Sequence, residues 1–239
     1  MQTGWRMASL FAVAIAAALF GWLAVTLPAS SPRSTEQGQT EWPPVALGQP
    51  MLQPGGSSGT GAIRFAAVGD SITQGDSPDF SLGWTGSLSW VTYARSSTLV
   101  FSGGWAAGGA TSARMAANAR PVKADVLVIL AGTNDLATGV PFAQTVANLE
   151  RIVATVGAPR VVVSAVPPRN GSPDATVAFN VELHAAVLAH GWMWTDGPVG
   201  LREGTLYAPG MSRDGIHPNQ AGAEVLGRAL ADAMRRDVG

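Results

Sequence analysis

Between residues 63 and 239 the chain alternates short apolar runs, too brief for helices, with longer stretches of helical periodicity, and this narrows the possible folds more than any other feature. Residues 126–130 (VLVIL) are the most β-like of these runs, apolar throughout and rich in β-branching. Beyond them Phe142, Val146, Leu149, Ile152, Val153 and Val156 share one helical face, with Gln144, Asn148, Arg151 and Thr155 opposite. Gly157 closes that helix and Pro159 follows it. Residues 161–166 (VVVSAV) give a fourth strand, stopped by Pro167 and Pro168. Residues 63–68 (IRFAAV) and 98–102 (TLVFS) supply the first two strands, and 192–195 (WMWT) the fifth. Asp174 is the expected N-cap of a helix reaching about His190, and a last helix spans about 219–236 with Val225, Leu226, Leu230 and Met234 inward. Strands alternating with helices predict a parallel sheet covered on both faces, a three-layer α/β/α fold. Right-handed crossovers then suggest a flavodoxin-like five-stranded parallel sheet, the first strand beside the third.

The first quarter of the chain reads differently. Residues 7–27 form an uncharged apolar run preceded by Arg6 and closed by Pro28, long enough to cross the roughly 30 Å hydrocarbon core of a bilayer. Residues 1–28 are therefore expected to be a transmembrane signal anchor or a signal peptide. The exit LPASSPRS offers no convincing small-x-small cleavage site, which favours the anchor. Arg6 on the inner side would leave the rest of the chain extracytoplasmic. Residues 29–61, rich in Pro, Gly, Ser, Gln and Thr, are expected to be a disordered linker, and 62–239 the folded domain. Gly55, Ser57 and Gly59 match the G-x-S-x-G nucleophile elbow, but no strand precedes and no helix follows them, so they belong to the linker.

Several classes of function are excluded. A net charge of −1 with scattered Lys and Arg gives no electrostatic footprint for nucleic acid. The chain has no cysteine, which removes disulfides, thiolate metal sites and a cysteine nucleophile. No His and carboxylate set has metal-ligand spacing, and no cofactor is expected.

In parallel sheets of this kind ligands bind at the carboxyl ends of the strands, and each polar motif of the chain lies just after one. Gly69-Asp70-Ser71-Ile72-Thr73-Gln74-Gly75 follows the first strand, placing Ser71 at that edge. A glycine-rich stretch, Gly103 to Ser112, follows the second, and its glycines allow backbone N–H groups to approach an oxyanion. Gly132-Thr133-Asn134-Asp135 follows the third, with the Asn134 amide able to reach the same crevice. Asp214-Gly215-Ile216-His217-Pro218 precedes the last helix. A carboxylate three residues before a histidine can hold its Nδ1–H and leave Nε2 as a base.

These four stretches, in this order, resemble the four blocks of the GDSL/SGNH hydrolase family. The resemblance covers about residues 63–239; GDSIT, GTND and DGIHP are close matches and the glycine block the loosest. It implies the SGNH hydrolase fold, Ser71 as nucleophile, and the Asp214–His217 pair as its acid–base partner. It implies an oxyanion hole from the Ser71 and Gly109 N–H groups and the Asn134 side chain, with Gly108 the neighbouring alternative. Ala110 stands where the family often has Asp, which removes an expected local hydrogen bond but no catalytic group.

The other polar and aromatic residues read mostly as structural. His184 and His190 are expected to be structural or solvated, and Asp70 and Asp135 turn or cap residues. Asp196 after the fifth strand and Trp105 in the glycine block are candidate substrate contacts; Trp84 and Trp90 are weaker ones. The expected function is an extracytoplasmic esterase acting on acylated carbohydrate, cell-envelope or lipid substrates, with membrane contact through the N-terminal segment. An O-acyltransferase using the same residues on a glycan acceptor is the alternative, and a non-catalytic binding domain the remaining one.

Overall fold

The computed structural model describes residues 61–236. The apolar run at 7–27, the linker and Ser57 lie outside them. Among the described residues no helix is long and apolar enough to cross a membrane.

Five parallel strands form the central sheet: β1 (Ile63–Gly69), β2 (Leu99–Ala106), β3 (Val126–Leu130), β4 (Arg160–Ser164) and β5 (Met193–Thr195), in the order β2-β1-β3-β4-β5. The first strand lies beside the third, as the crossover argument predicts. Because side chains alternate across a strand, each strand feeds two cores. Phe65, Ala67, Val126, Val128 and Leu130 face one layer, where α2 (Trp90–Ala94) and α7 (Gln220–Arg235) pack with Trp90, Leu226, Leu230 and Met234. Ala66, Val68, Leu127 and Ile129 face the other, against α3 (Ser112–Asn118), α5 (Phe142–Val156) and α6 (Pro173–Ala189), which bring Met115, Leu149, Ile152 and Leu183. At roughly 1.5–3 kcal/mol for each large apolar side chain fully buried, these two layers supply most of the driving force.

The elements with strong periodicity lie where the sequence puts them, α5 ending at Gly157 in the left-handed conformation and α7 capped by Asn219, which accepts the Gly222 N–H. Three expectations need correction. The second strand does not stop at Ser102 with the glycine-rich stretch beyond it; it runs on through Gly103 and Gly104 to Ala106. Gly104 is required there, since a Cβ would come within 1.9 Å of the Ala67 carbonyl oxygen on the neighbouring strand. Asp174 is not the N-cap of α6: Ser172 holds that position, with Pro173 at the first turn, where its missing N–H costs nothing. Trp192 falls just outside β5. Short elements carry too little periodicity to read in the sequence: α1 (Ser71–Gln74), α2, α3, α4 (Thr133–Thr138), a 3₁₀ turn (Gly197–Leu201) and the hairpin β6 (Arg202–Glu203) and β7 (Leu206–Tyr207).

Candidate active site

Ser71 is the first residue of α1, at the carboxyl end of β1. Asp70 caps that turn, its Oδ1 accepting the Ile72 N–H at 2.9 Å. Ser71 therefore stands where the chain turns from strand to helix, with its own N–H outside the helix ladder. Its Oγ lies 2.9 Å from His217 Nε2. On the far side of the ring, His217 Nδ1 is 2.7 Å from Asp214 Oδ2.

One turn holds both the acid and the base. Asp214 Oδ1 accepts the backbone N–H groups of Ile216 (2.9 Å) and His217 (2.8 Å). Ser212 Oγ donates to the His217 carbonyl at 2.8 Å and accepts the Gly215 N–H at 2.9 Å, while the Tyr207 hydroxyl donates to the Ile216 carbonyl at 2.9 Å. Partial burial pushes the Asp214 carboxyl up, but the hydrogen bonds from the His217 N–H, the His217 ring and the Ile216 N–H outweigh it and bring the pKa down to about 2. Burial, with the Asp214 and Asp70 charges nearby, keeps the Tyr207 phenol above its usual range, so it remains a donor.

The remaining site residues come from two loops. Asn134, in the first turn of α4, donates through Nδ2 to the Ala110 carbonyl at 2.9 Å, leaving its second amide hydrogen for a ligand. The N–H of Gly108 is taken by Gln74 Oε1 at 2.7 Å, whereas that of Gly109 makes no hydrogen bond among the described residues. Of the two adjacent glycines, only Gly109 has a free donor. A serine hydroxyl hydrogen-bonded to an imidazole that is itself held by a carboxylate can be deprotonated as it attacks a carbonyl.

Trp105 and Asp196 make no hydrogen bond or aromatic contact with Ser71, His217, Asp214 or Asn134. Trp105 lies half-buried on β2 with the Arg114 guanidinium over its ring, 5.7 Å from the centroid, and packs into the core. Asp196 is gripped by both terminal nitrogens of Arg202, in a pocket of about 270 Å³ shared with His184 and Trp194 at the β5 edge. Trp90 is fully buried and its Nε1–H donates to Thr73 Oγ1; Trp84 is exposed. His184 stacks on Trp194, and His190 bonds Glu150. Among the described residues no three His, Asp or Glu side chains converge as metal ligands would.

Asp135 does more than cap a turn. Fully buried, it accepts the backbone N–H of Ser112 at 2.9 Å, the Ser112 hydroxyl, and the Thr145 hydroxyl at 3.1 Å. Asn148 Nδ2 completes the network on Ser112 Oγ at 2.9 Å, so α3, α4 and α5 meet on this carboxylate. Arg169 adds a second tie, donating to the Thr133 carbonyl and hydroxyl beside Asn134.

Asp70, beneath the nucleophile position, is fully buried and its Oδ2 has no partner among the described residues. Burial, reinforced by the Asp135 charge and opposed by the Ile72 N–H and Arg169, raises its carboxyl from 3.8 to about 7. The folded chain therefore holds a proton that the unfolded chain has lost, and stability should fall as pH rises across that interval. Urea unfolding from pH 4 to pH 7 should show a decline of up to about 1.4 kcal/mol per pH unit, flattened in Asp70→Asn, which keeps a capping oxygen.

Comparisons with known proteins give the family and the fold. Residues 67–225 match the GDSL-like Lipase/Acylhydrolase family. A sequence search of curated proteins gives no match. Among solved structures, a lipolytic protein of the G-D-S-L family from Desulfitobacterium hafniense shares 18% identity at TM-score 0.58, covering 72% of this chain and 99% of that one. An acylhydrolase from Bacteroides fragilis shares 20% identity at TM-score 0.55, covering 72% and 86%. An acetyl-xylooligosaccharide esterase from Geobacillus shares 17% identity at TM-score 0.55, covering 74% and 96%. At these identities the structures speak to the fold, while the sequence match, which spans most of the chain, assigns membership: this chain belongs to the GDSL-like lipase/acylhydrolase family of ester hydrolases.

Proposed function

We propose that the protein is an extracytoplasmic serine esterase that removes acyl groups through an acyl-enzyme on Ser71. The observation that carries this reading is the continuous relay from Ser71 Oγ through the His217 ring to Asp214, at 2.9 and 2.7 Å. Ser71 Oγ attacks the ester carbonyl carbon while His217 Nε2 takes its proton. The negative charge on the former carbonyl oxygen is held by the N–H groups of Ser71 and Gly109 and by the Asn134 amide. Collapse expels the alcohol, which leaves with the proton from His217. Water then gives a proton to His217, attacks the acyl-enzyme, and the second collapse returns Oγ its proton.

The natural ester is an acyl group on carbohydrate, cell envelope or lipid. The likeness to an acetyl-xylooligosaccharide esterase supports carbohydrate and a small acyl group. The placement outside the membrane rests on the uncharged apolar run at 7–27 behind Arg6.

A p-nitrophenyl ester series from acetyl to decanoyl, beside acetylated xylan, tests the reading, and turnover should be highest with the shortest acyl groups. Turnover that requires an added glycan acceptor would overturn hydrolysis in favour of transfer. In the same assay Asn134→Ala should lower kcat by about 10²–10³ with KM little changed, the loss expected for one oxyanion donor. An unchanged kcat would remove Asn134 from the site. Protease shaving of intact cells, which should reach the domain, tests the location.

A further inference from the structure

Gly109 lies between the packed Ala107 and Ala110, but nothing packs against Gly109 itself. Its φ is +67°, and no heavy atom lies within 4 Å of where its Cβ would be. The segment 107–110 is a turn closed by the Ala110 N–H on the Ala107 carbonyl at 3.2 Å, with Gly108 and Gly109 in its middle. Turns of this kind exist in two forms that differ by a flip of the middle peptide, and the third residue has positive φ in only one. With glycine at both central positions neither form is sterically excluded. Something other than packing must choose.

We propose that Arg114 and Gln74 are positioning residues that lock this turn in the form presenting the Gly109 N–H to the oxyanion. The middle peptide consists of the Gly108 carbonyl and the Gly109 N–H, which point in opposite directions across a planar trans bond. Arg114 Nη1 donates to that Gly108 carbonyl at 3.0 Å, so holding the oxygen outward aims the N–H the other way. Gln74 Oε1 accepts the Gly108 N–H at 2.7 Å and fixes the preceding peptide. Arg114 is steadied by the Trp105 ring beneath its guanidinium, 5.7 Å from the centroid. This gives Trp105 the role of a platform rather than a substrate contact. Gln74 lies three residues beyond Ser71, so one short helix carries the nucleophile and a tether for the oxyanion loop.

The inference rests on the Ser71 mechanism proposed above, and its test separates the two. On a short p-nitrophenyl ester, Arg114→Ala should lower kcat about 10- to 100-fold, approaching the roughly 10²–10³ loss of a whole donor, with KM within about twofold. Arg114→Lys, which keeps a donor, should recover most of that rate. Gln74→Met should lose less, and the double variant no more than that one donor is worth, because both side chains act through it. Inhibition by an alkyl boronic acid, whose serine adduct mimics the tetrahedral oxyanion, should weaken by the same factor as kcat falls. Both side chains are partly or fully exposed, and circular dichroism should show the variants folded. Wild-type kcat in Arg114→Ala and Gln74→Met overturns the clamp if Ser71→Ala is inactive. A raised KM with kcat intact, or unchanged boronate inhibition, overturns it equally. Full activity in Ser71→Ala would instead overturn the serine mechanism itself.

Discussion

Replacing Ser71 with alanine should lower kcat for a short-chain ester by on the order of 10⁴- to 10⁶-fold while leaving the fold intact. Ser71 makes one side-chain hydrogen bond, to His217 Nε2, and its backbone carries the turn without help from the hydroxyl. Removing Oγ therefore deletes the attacking atom and little else. His217→Ala should lose a similar amount, and the double variant little more, because nucleophile and base act as one unit. Such non-additivity separates a shared chemical step from two independent contributions to binding. Additive losses, or substantial turnover without Oγ, would be incompatible with an acyl-enzyme on Ser71.

The second large effect is expected at Asp214. Asparagine is nearly the same size and can still accept the Ile216 and His217 N–H groups, so the turn should survive. The amide NH₂ would then face Nδ1 and favour the tautomer with its proton on Nε2, the nitrogen that must accept from Ser71. A fall of about 10⁴ in kcat follows, with little change in KM. Steady-state kinetics with nuclear magnetic resonance of the ring nitrogens would read both the rate and the tautomer. The wild-type carboxylate, held down to about 2, stays ionised through ordinary assay conditions. Loss of activity on acidification above about pH 3 would then belong to another group. The sign for stability is the usual one for a depressed carboxylate: its contribution is present above the unfolded carboxylate range and lost as pH falls toward 2.

Legibility in the sequence followed the range of the interactions. The sheet order and the two-faced core could be read because strand and helix patterns are local and the crossover rule leaves few topologies. The Asp214–His217 pair was legible for the same reason, since three residues in a turn settle whether the side chains meet. Asp135 was not, because its partners Ser112 and Thr145 come from two other helices and look like ordinary polar residues in their own context. The place of Gly104 inside the second strand was not legible, because glycine marks both a bend and a close approach, and only the adjacent Ala67 carbonyl distinguishes them. The packing of Trp105 was not legible, because an aromatic beside a motif says nothing about which face is covered. Arg114, which covers it, gives no signal of its own.

The acid and the base share one short turn, and α7 begins directly after it, so the relay has a single adjustable joint. Asp214 and His217 travel together; only the gap to Ser71, from a segment 146 residues away, can open. Tyr207 and Ser212 brace the turn from one side, and α7, anchored in the core through Leu226, Leu230 and Met234, carries it from the other. A packing fault under that helix would slacken the joint and lower the melting temperature together, because the side chains that hold the relay in place also hold the core.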